Sequence, residues 1–322
     1  MKKALKIFGI LLGVVVLLIG IAAIYNSSAA LPTYEAEIPD IQIEADSNRI
    51  ARGAKIVKGT CTFCHQGEEG RLDGKKLMDE PAFGKIFSSN ITRHPETGIG
   101  NYSDGELVRL LRTGIKSNDK LVVPMMAKMP HLSDEDVYSI IAYLRSDAPE
   151  LAPSATARPE PEMGFVGKAL FRLVFKPLTM PESPIPQPDK TDRVAYGKYL
   201  ITDAMECANC HSASFDTYNI VHPEQSEGFL GGGNLVELTG MGKMLSPNIT
   251  MHPEKGIGRM TVEEFVQIVK YRQYPGGREL NPIMPNYASY SDDDIRAVWE
   301  YIQTVPVSDN DVSELAEKLV AN

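Results

Sequence analysis

The stretch from residue 90 to residue 100 occurs twice in this chain, and the second copy lies 158 positions after the first. Asn90-Ile91-Thr92, His94-Pro95-Glu96 and Gly98-Ile99-Gly100 return as Asn248-Ile249-Thr250, His252-Pro253-Glu254 and Gly256-Ile257-Gly258. The register then runs on without a gap to the end of both copies. Such self-similarity restricts the fold to two copies of one small unit. Ser103-x-x-Glu106 and Thr261-x-x-Glu264 are matching capping boxes, and each starts a helix. Ser133-Asp134-x-Asp136 and Ser291-Asp292-x-Asp294 are a second pair of N-cap signals. Behind them, Val137, Ile140, Ile141 and Leu144 keep helical spacing, as do Ile295, Val298, Trp299 and Ile302. Pro149 and Pro306 stop those helices. Each copy opens with a further expected helix, Arg49 to Val57 and Arg193 to Ile201. Gly53 and Gly197 lie inside these helices at a cost of ~1 kcal/mol relative to alanine. A close helix–helix contact accounts for them, with Tyr143 and Tyr301 as the residues expected to pack over them. No run of alternating strand residues is present, so the expected class is all-α.

The 322-residue length suits two domains, and a hydrophobic content of 43% is enough for packed cores. The formal net charge of -9 excludes nucleic acid as a partner, because phosphates would be repelled. It fits a partner with a basic docking face, or simply a solvated surface.

Lys2, Lys3 and Lys6 precede an uncharged apolar run from Ile7 to Tyr25. As a helix that run reaches ~28 Å, close to the hydrocarbon thickness of a bilayer. With the lysines on the cytoplasmic side, everything after Tyr25 is exported. The expectation is a single-pass anchor in the cytoplasmic (inner) membrane, with the remainder facing the periplasm. A cleaved signal peptide with Ser28-Ala29-Ala30 as its processing site is the competing reading. The expected divisions are residues 1–30 as anchor, 31–148 as first domain, 149–190 as Pro-rich connector and 191–322 as second domain. Within the connector, Phe165 to Phe175 reads as a short amphipathic helix. It either rests on the membrane surface or, the preferred reading, packs across the two domains.

The four cysteines form two motifs, Cys61-Thr62-Phe63-Cys64-His65 and Cys207-Ala208-Asn209-Cys210-His211. Both are CxxCH, the pattern for covalent attachment of haem c. Two thiols three positions apart on one helical turn can add to the two vinyl groups along one porphyrin edge. The next residue's imidazole then lies beneath the ring and bonds iron. A thioredoxin-like pair gives the trailing histidine no role, and zinc knuckles normally sit far closer together than these two motifs. The expected cofactors are therefore two haem c groups, with His65 and His211 as proximal ligands.

The first copy offers Met125, Met126 and Met129 as distal ligand. The 158-residue register pairs Met126 with Met284, which stands in Pro282-Ile283-Met284-Pro285. A thioether ligand favours reduced iron and raises the potential, which suits an electron carrier. The alternatives are methionines that merely fill core space, or a bis-histidine scheme using His94 and His252. The Asn-Ile-Thr segments are placed either along a haem edge, donating to a propionate, or in a plain loop turn. The second copy has twelve extra residues between its CxxCH and its Asn-Ile-Thr, and Gly231-Gly232-Gly233 falls there, read as a flexible loop or a docking contact.

CxxCH, then Asn-Ile-Thr…Gly-Ile-Gly, then Pro-x-Met before Ser-Asp-x-Asp resembles the membrane-anchored multihaem cytochrome c subunits of periplasmic alcohol, aldehyde and gluconate dehydrogenases. The resemblance runs from about Arg49 to Pro306, excluding the connector. It implies an N-terminal transmembrane helix followed by two tandem cytochrome c-like domains. It also implies a periplasmic dehydrogenase as electron donor, with quinone, an oxidase or a soluble cytochrome as acceptor. The protein itself would be no enzyme. Two departures stand out: those subunits commonly carry three haems, and Met126-Ala127 stands where they usually show Met-Pro. A dihaem peroxidase is the alternative from another class, and a purely structural partner in a respiratory assembly is a third.

Overall fold

A computed structural model describes residues 2–238 and 242–320. Helix α1 (Lys2–Ser28) keeps its apolar side chains exposed, and only its C-terminal end, at Asn26, is buried against the body. It is long and apolar enough to cross a membrane, with a mean hydropathy of 3.1 over its most apolar 18 residues.

The body is helix-rich. Asp46 caps α2 (Ser47–Ile56) by accepting from the Asn48 and Arg49 amides. A π-helical turn, Val57–Cys61, follows, and then α3 (Thr62–His65). Here the all-α expectation needs correction. Strands β1 (Lys76–Glu80) and β2 (Gly84–Phe87) form an antiparallel hairpin after α3. The capping boxes then act as their residue types require. Ser103 starts α4 (Asp104–Thr113), and Ser133 accepts from the Asp136 amide to start α5 (Asp134–Arg145). The connector adds β3 (Glu162–Met163), which pairs with β2, and α6 (Phe165–Leu173).

The second repeat rebuilds the same order. It comprises α7 (Arg193–Tyr199), a π-helical turn at Leu200–Ala204, and α8 (Cys207–His211). The hairpin β4 (Leu235–Leu238) and β5 (Gly242–Leu245) comes next, then α9 (Val262–Tyr271) and α10 (Asp292–Ile302). Helix α11 (Val312–Val320) closes the described chain. Both hairpins are short and follow a CxxCH turn, and neither shows a sustained apolar alternation, so periodicity could not announce them.

In each repeat the first and last helices cross at glycine. A Cβ on Gly53 would lie 1.8 Å from the Ser139 carbonyl oxygen of α5 and 2.8 Å from the Tyr143 Cβ. On Gly197 it would lie 1.9 Å from the Ala297 oxygen of α10 and 2.9 Å from the Tyr301 Cβ. Only glycine permits these crossings.

The two repeats share one core and meet through reciprocal contacts. Lys55 of α2 reaches Asp294 of α10 at 3.1 Å, and Tyr199 of α7 reaches Asp136 of α5. Lys55 and Tyr199 hold equivalent places, counted from Gly53 and Gly197, as do the two aspartates in the 158 register. The interface is therefore a pseudo-two-fold one.

Burial alone would raise the Asp294 carboxyl. The Lys55 ammonium, the Tyr196 hydroxyl and the Ser291 amide outweigh it and hold the group at about 2. Because the folded value lies below the unfolded one, the stabilisation is present above roughly pH 4 and fades as pH falls towards 2. Asp294→Asn is expected to cost on the order of 2 kcal/mol at pH 7 and to flatten the acid limb of stability. Urea unfolding at a series of pH values reads both effects, and an unchanged acid limb would refute the assignment.

Candidate functional site

The two π-helical turns deliver the CxxCH segments. Each inserts a wide turn after the opening helix, the first ending on Cys61 itself and the second just before Cys207, a local unwinding that recurs at functional positions in helices. The histidines end the short helices α3 and α8 and are both buried. Their Nδ1 atoms lie 2.7 Å from the Ser89 carbonyl oxygen and 2.8 Å from that of Pro247. Ser89 and Pro247 are 158 residues apart, so the same backbone point holds both rings. A carbonyl can only accept, so each Nδ1 carries the proton and each Nε2 keeps a free lone pair. Burial lowers the basicity of both imidazoles and favours the neutral form that can ligate a metal.

Each turn is closed by glycine. The Gly74 amide donates to the His65 carbonyl and the Gly232 amide to that of His211, both at 2.8 Å. These glycines adopt φ of 81° and 70°, and an added Cβ would come within 2.2 Å of Ser88 O and 2.4 Å of Pro247 C. Gly232 is thus the counterpart of Gly74. The twelve-residue insertion lies wholly before it, and the Gly231–Gly233 run is stitched down rather than a free loop.

All four cysteines are unpaired. Burial pushes the Cys61, Cys207 and Cys210 thiols up to about 12 and Cys64 up to about 11. Thiols held protonated in this way are poor redox nucleophiles, which counts against a thioredoxin-like role, although only Cys207 is buried and the other three are half-buried. Among the described residues no group of three or more His, Cys, Asp or Glu could hold a bare metal ion, so the zinc alternative lacks a donor set. Thiols on one helical turn beside an imidazole with a free Nε2 do fit covalently held haem.

The methionine loops also follow the register. The Met126 amide donates to Val123 O at 2.9 Å and the Met284 amide to Asn281 O at 3.1 Å, the same turn in each repeat. Both side chains are half-buried against the core. Met125 is half-buried too, whereas Met129 is fully buried and donates its amide to Leu111 O at 2.8 Å.

His94 and His252 are engaged otherwise. Their Nδ1 atoms accept from the amides of Glu96 and Thr97, and of Glu254 and Lys255, and so close their own loops. His252 Nε2 is also 3.1 Å from Asp309. The Asn-Ile-Thr segments belong to the plain-turn reading. Asn90 Oδ1 accepts from the Thr92 amide and hydroxyl, and its Nδ2 donates to the Ser154 and Thr156 carbonyls. Asn248 does the same with Thr250, Ser308 and Asn310. Their hydrogen-bonding capacity is filled, leaving nothing for a propionate.

Sequence reasoning missed the residues that join the two attachment turns. Thr60 Oγ1 donates to the Ala204 carbonyl at 3.1 Å, directly linking the residue before Cys61 to the second π turn. The Tyr290 hydroxyl donates to the same carbonyl at 3.0 Å, and the Tyr287 hydroxyl to Met205 O at 2.7 Å. Both rings pack over Gly59, where an added Cβ would sit 2.9 Å from Tyr290. In the register these tyrosines replace Met129 and Leu132, and that break in the repeat was the available signal. Glu206, at a left-handed φ of 54° just before Cys207, gave none. Burial raises its carboxyl to about 8, Asp203 adds to the rise and Lys128 opposes it.

The site and its setting resemble those of c-type cytochromes. Residues 48–144, which include the first CxxCH, match the family model described as cytochrome c oxidase, cbb3-type, subunit III. Over 279 residues the chain is 25% identical to the cytochrome c subunit of the quinone alcohol dehydrogenase of Gluconobacter oxydans, covering 82% of this chain and 56% of that one. It is 28% identical over 275 residues to the fructose dehydrogenase cytochrome subunit of Gluconobacter japonicus, covering 80% and 52%. A diheme cytochrome c-type protein of Cereibacter sphaeroides is 26% identical over 269 residues, 80% of this chain and 86% of that one. The resemblance drawn from the motifs is thus borne out. The chain spans little more than half the length of the dehydrogenase subunits it matches.

Proposed function

We propose that this chain is a dihaem c-type cytochrome, anchored by α1 in the cytoplasmic membrane. It passes electrons from a periplasmic dehydrogenase towards the respiratory chain, and performs no substrate chemistry itself. The observation that carries the reading is the matched pair of buried histidines, each with Nδ1 on a backbone carbonyl at the same register and Nε2 left free. Haem c, when bound, supplies a one-electron iron couple whose potential follows its axial ligands.

In this reading Cys61 and Cys64 hold one group and Cys207 and Cys210 the other. His65 and His211 are the proximal ligands, and Met126 and Met284 the distal ones. The Thr60–Ala204 bond and the tyrosines over Gly59 bring the two attachment turns into direct contact, favouring transfer between the two centres within the chain. A dehydrogenase as donor is supported by what the relatives are. A dihaem peroxidase would need one iron with an openable distal side, and the identical turns at Met126 and Met284 count against it.

Low-temperature EPR with an optical redox titration tests the proposal. Wild type is expected to show two low-spin ferric signals. Met126→Ala and Met284→Ala should each convert one of them to high spin and lower one midpoint. A high-spin centre in the wild type that binds carbon monoxide when reduced would favour the peroxidase.

A further inference from the structure

Helix α6 does not pack across the two repeats; it is fastened to the end of α1. The Asn26 side chain, buried near the end of α1, donates to the Phe165 carbonyl at 2.9 Å. Lys168 Nζ donates to Ser27 O at 2.7 Å, and the Arg172 guanidinium donates to the Ala29 and Ala30 carbonyls at 2.6 and 2.9 Å. Arg172 also lies over the Tyr25 ring. These carbonyls belong to the last turn of α1 and the residues just past it, which lack helical partners of their own, and basic side chains are the groups suited to them. The Arg172 contacts engage Ala29 and Ala30, which lie in the segment a signal peptidase would need.

The opposite side of α6 is apolar and uncovered. Gly167 and Phe171 face inward, whereas Phe165 is 52% and Leu173 79% exposed. At 100° per residue, Phe165, Val166, Ala169 and Leu173 fall within one 100° sector. Phe83, at the neighbouring hairpin tip, is exposed as well. This surface runs on from the exposed Ile24 and Tyr25 of α1. It is also basic in an acidic protein: Lys168, Arg172 and Lys176 stand in a stretch from Met163 to Pro181 that holds no acidic residue, against a net charge of -9 overall.

We propose that α6, with Phe83, is an interfacial membrane-docking surface, its apolar stripe lying in the headgroup boundary of the bilayer that α1 crosses. This rests on the reading of α1 as a membrane span. An apolar stripe flanked by lysine and arginine is the pattern that settles at an anionic interface. Strand β3 pairs with β2, and the Gly164 and Val166 amides donate to Phe83 O and Ala82 O, so the surface is part of the first repeat. The first repeat is therefore held against the membrane.

Spin labels on the full-length holoprotein test this in vesicles of phosphatidylethanolamine and phosphatidylglycerol. Val16→Cys reports on α1, Phe165→Cys and Leu173→Cys on the proposed surface, and Val307→Cys on an exposed point of the second repeat. Collision with oxygen and with a water-soluble nickel chelate is measured by power saturation. The expected order of oxygen preference is Val16 highest, Phe165 and Leu173 next, Val307 lowest. A Val16 label as open to nickel as Val307 would overturn the membrane span itself. A lipid-buried Val16 beside nickel-exposed Phe165 and Leu173 would overturn the docking surface alone. Labels at 165 and 173 shielded from both reagents and broadened by spins on a second copy would mean that another chain covers this face.

Discussion

Replacing Cys207 and Cys210 together by alanine is expected to halve the haem bound per chain, and replacing Cys61 and Cys64 together to remove the other half. Thioether links survive denaturation, so intact mass under denaturing conditions counts the groups whether or not the variant keeps its fold. The pyridine haemochrome absorbance should fall by half in each variant, and redox titration should leave one component. The two attachment turns have equivalent hydrogen-bond networks, from His65 to Ser89 and from His211 to Pro247, and this equivalence motivates a count of two. Loss of all haem from one variant and none from the other would leave a single-haem protein with a decorative second motif.

Gly197→Ala is expected to lose about 3 kcal/mol or more, as is Gly53→Ala. One methyl group is small, but its neighbours at 1.9 and 1.8 Å are backbone carbonyls of α10 and α5, which cannot turn aside as a flexible side chain would. The opening and closing helices of the repeat must then separate, and with them the side chains packed along both. For a chain of this size the melting temperature should fall by about 10 °C. Gly13→Ala is the control, because nothing in the chain lies within 4 Å of its added Cβ. A Gly197→Ala protein that melts with the wild type would show that α7 and α10 do not cross as described.

Legibility in the sequence followed the range of the interaction. The capping boxes at Ser103, Thr261 and Ser291 are complete within four residues, and the structure forms each of them. The glycine crossings could be anticipated because glycine inside a helix needs a reason, and the reason lies in the neighbouring helix. Sheet pairing was not legible. Strand β1 buries one residue and β2 two over a very short span, and β3 depends on a segment some eighty residues away. The roles of Asn90 and Asn248 were equally hidden, since their partners at Ser154 and Ser308 lie about sixty residues on.

Read alone, the amino-acid order determined the repeat, the two CxxCH turns and the apolar N-terminal helix, because covalent and helical constraints act between residues a few positions apart. Tertiary structure decided how the two repeats meet, which carbonyl orients each buried histidine, and that α6 fastens to α1 rather than bridging the repeats. Those outcomes depend on which surfaces exclude water from each other in three dimensions, and linear spacing carries no record of that.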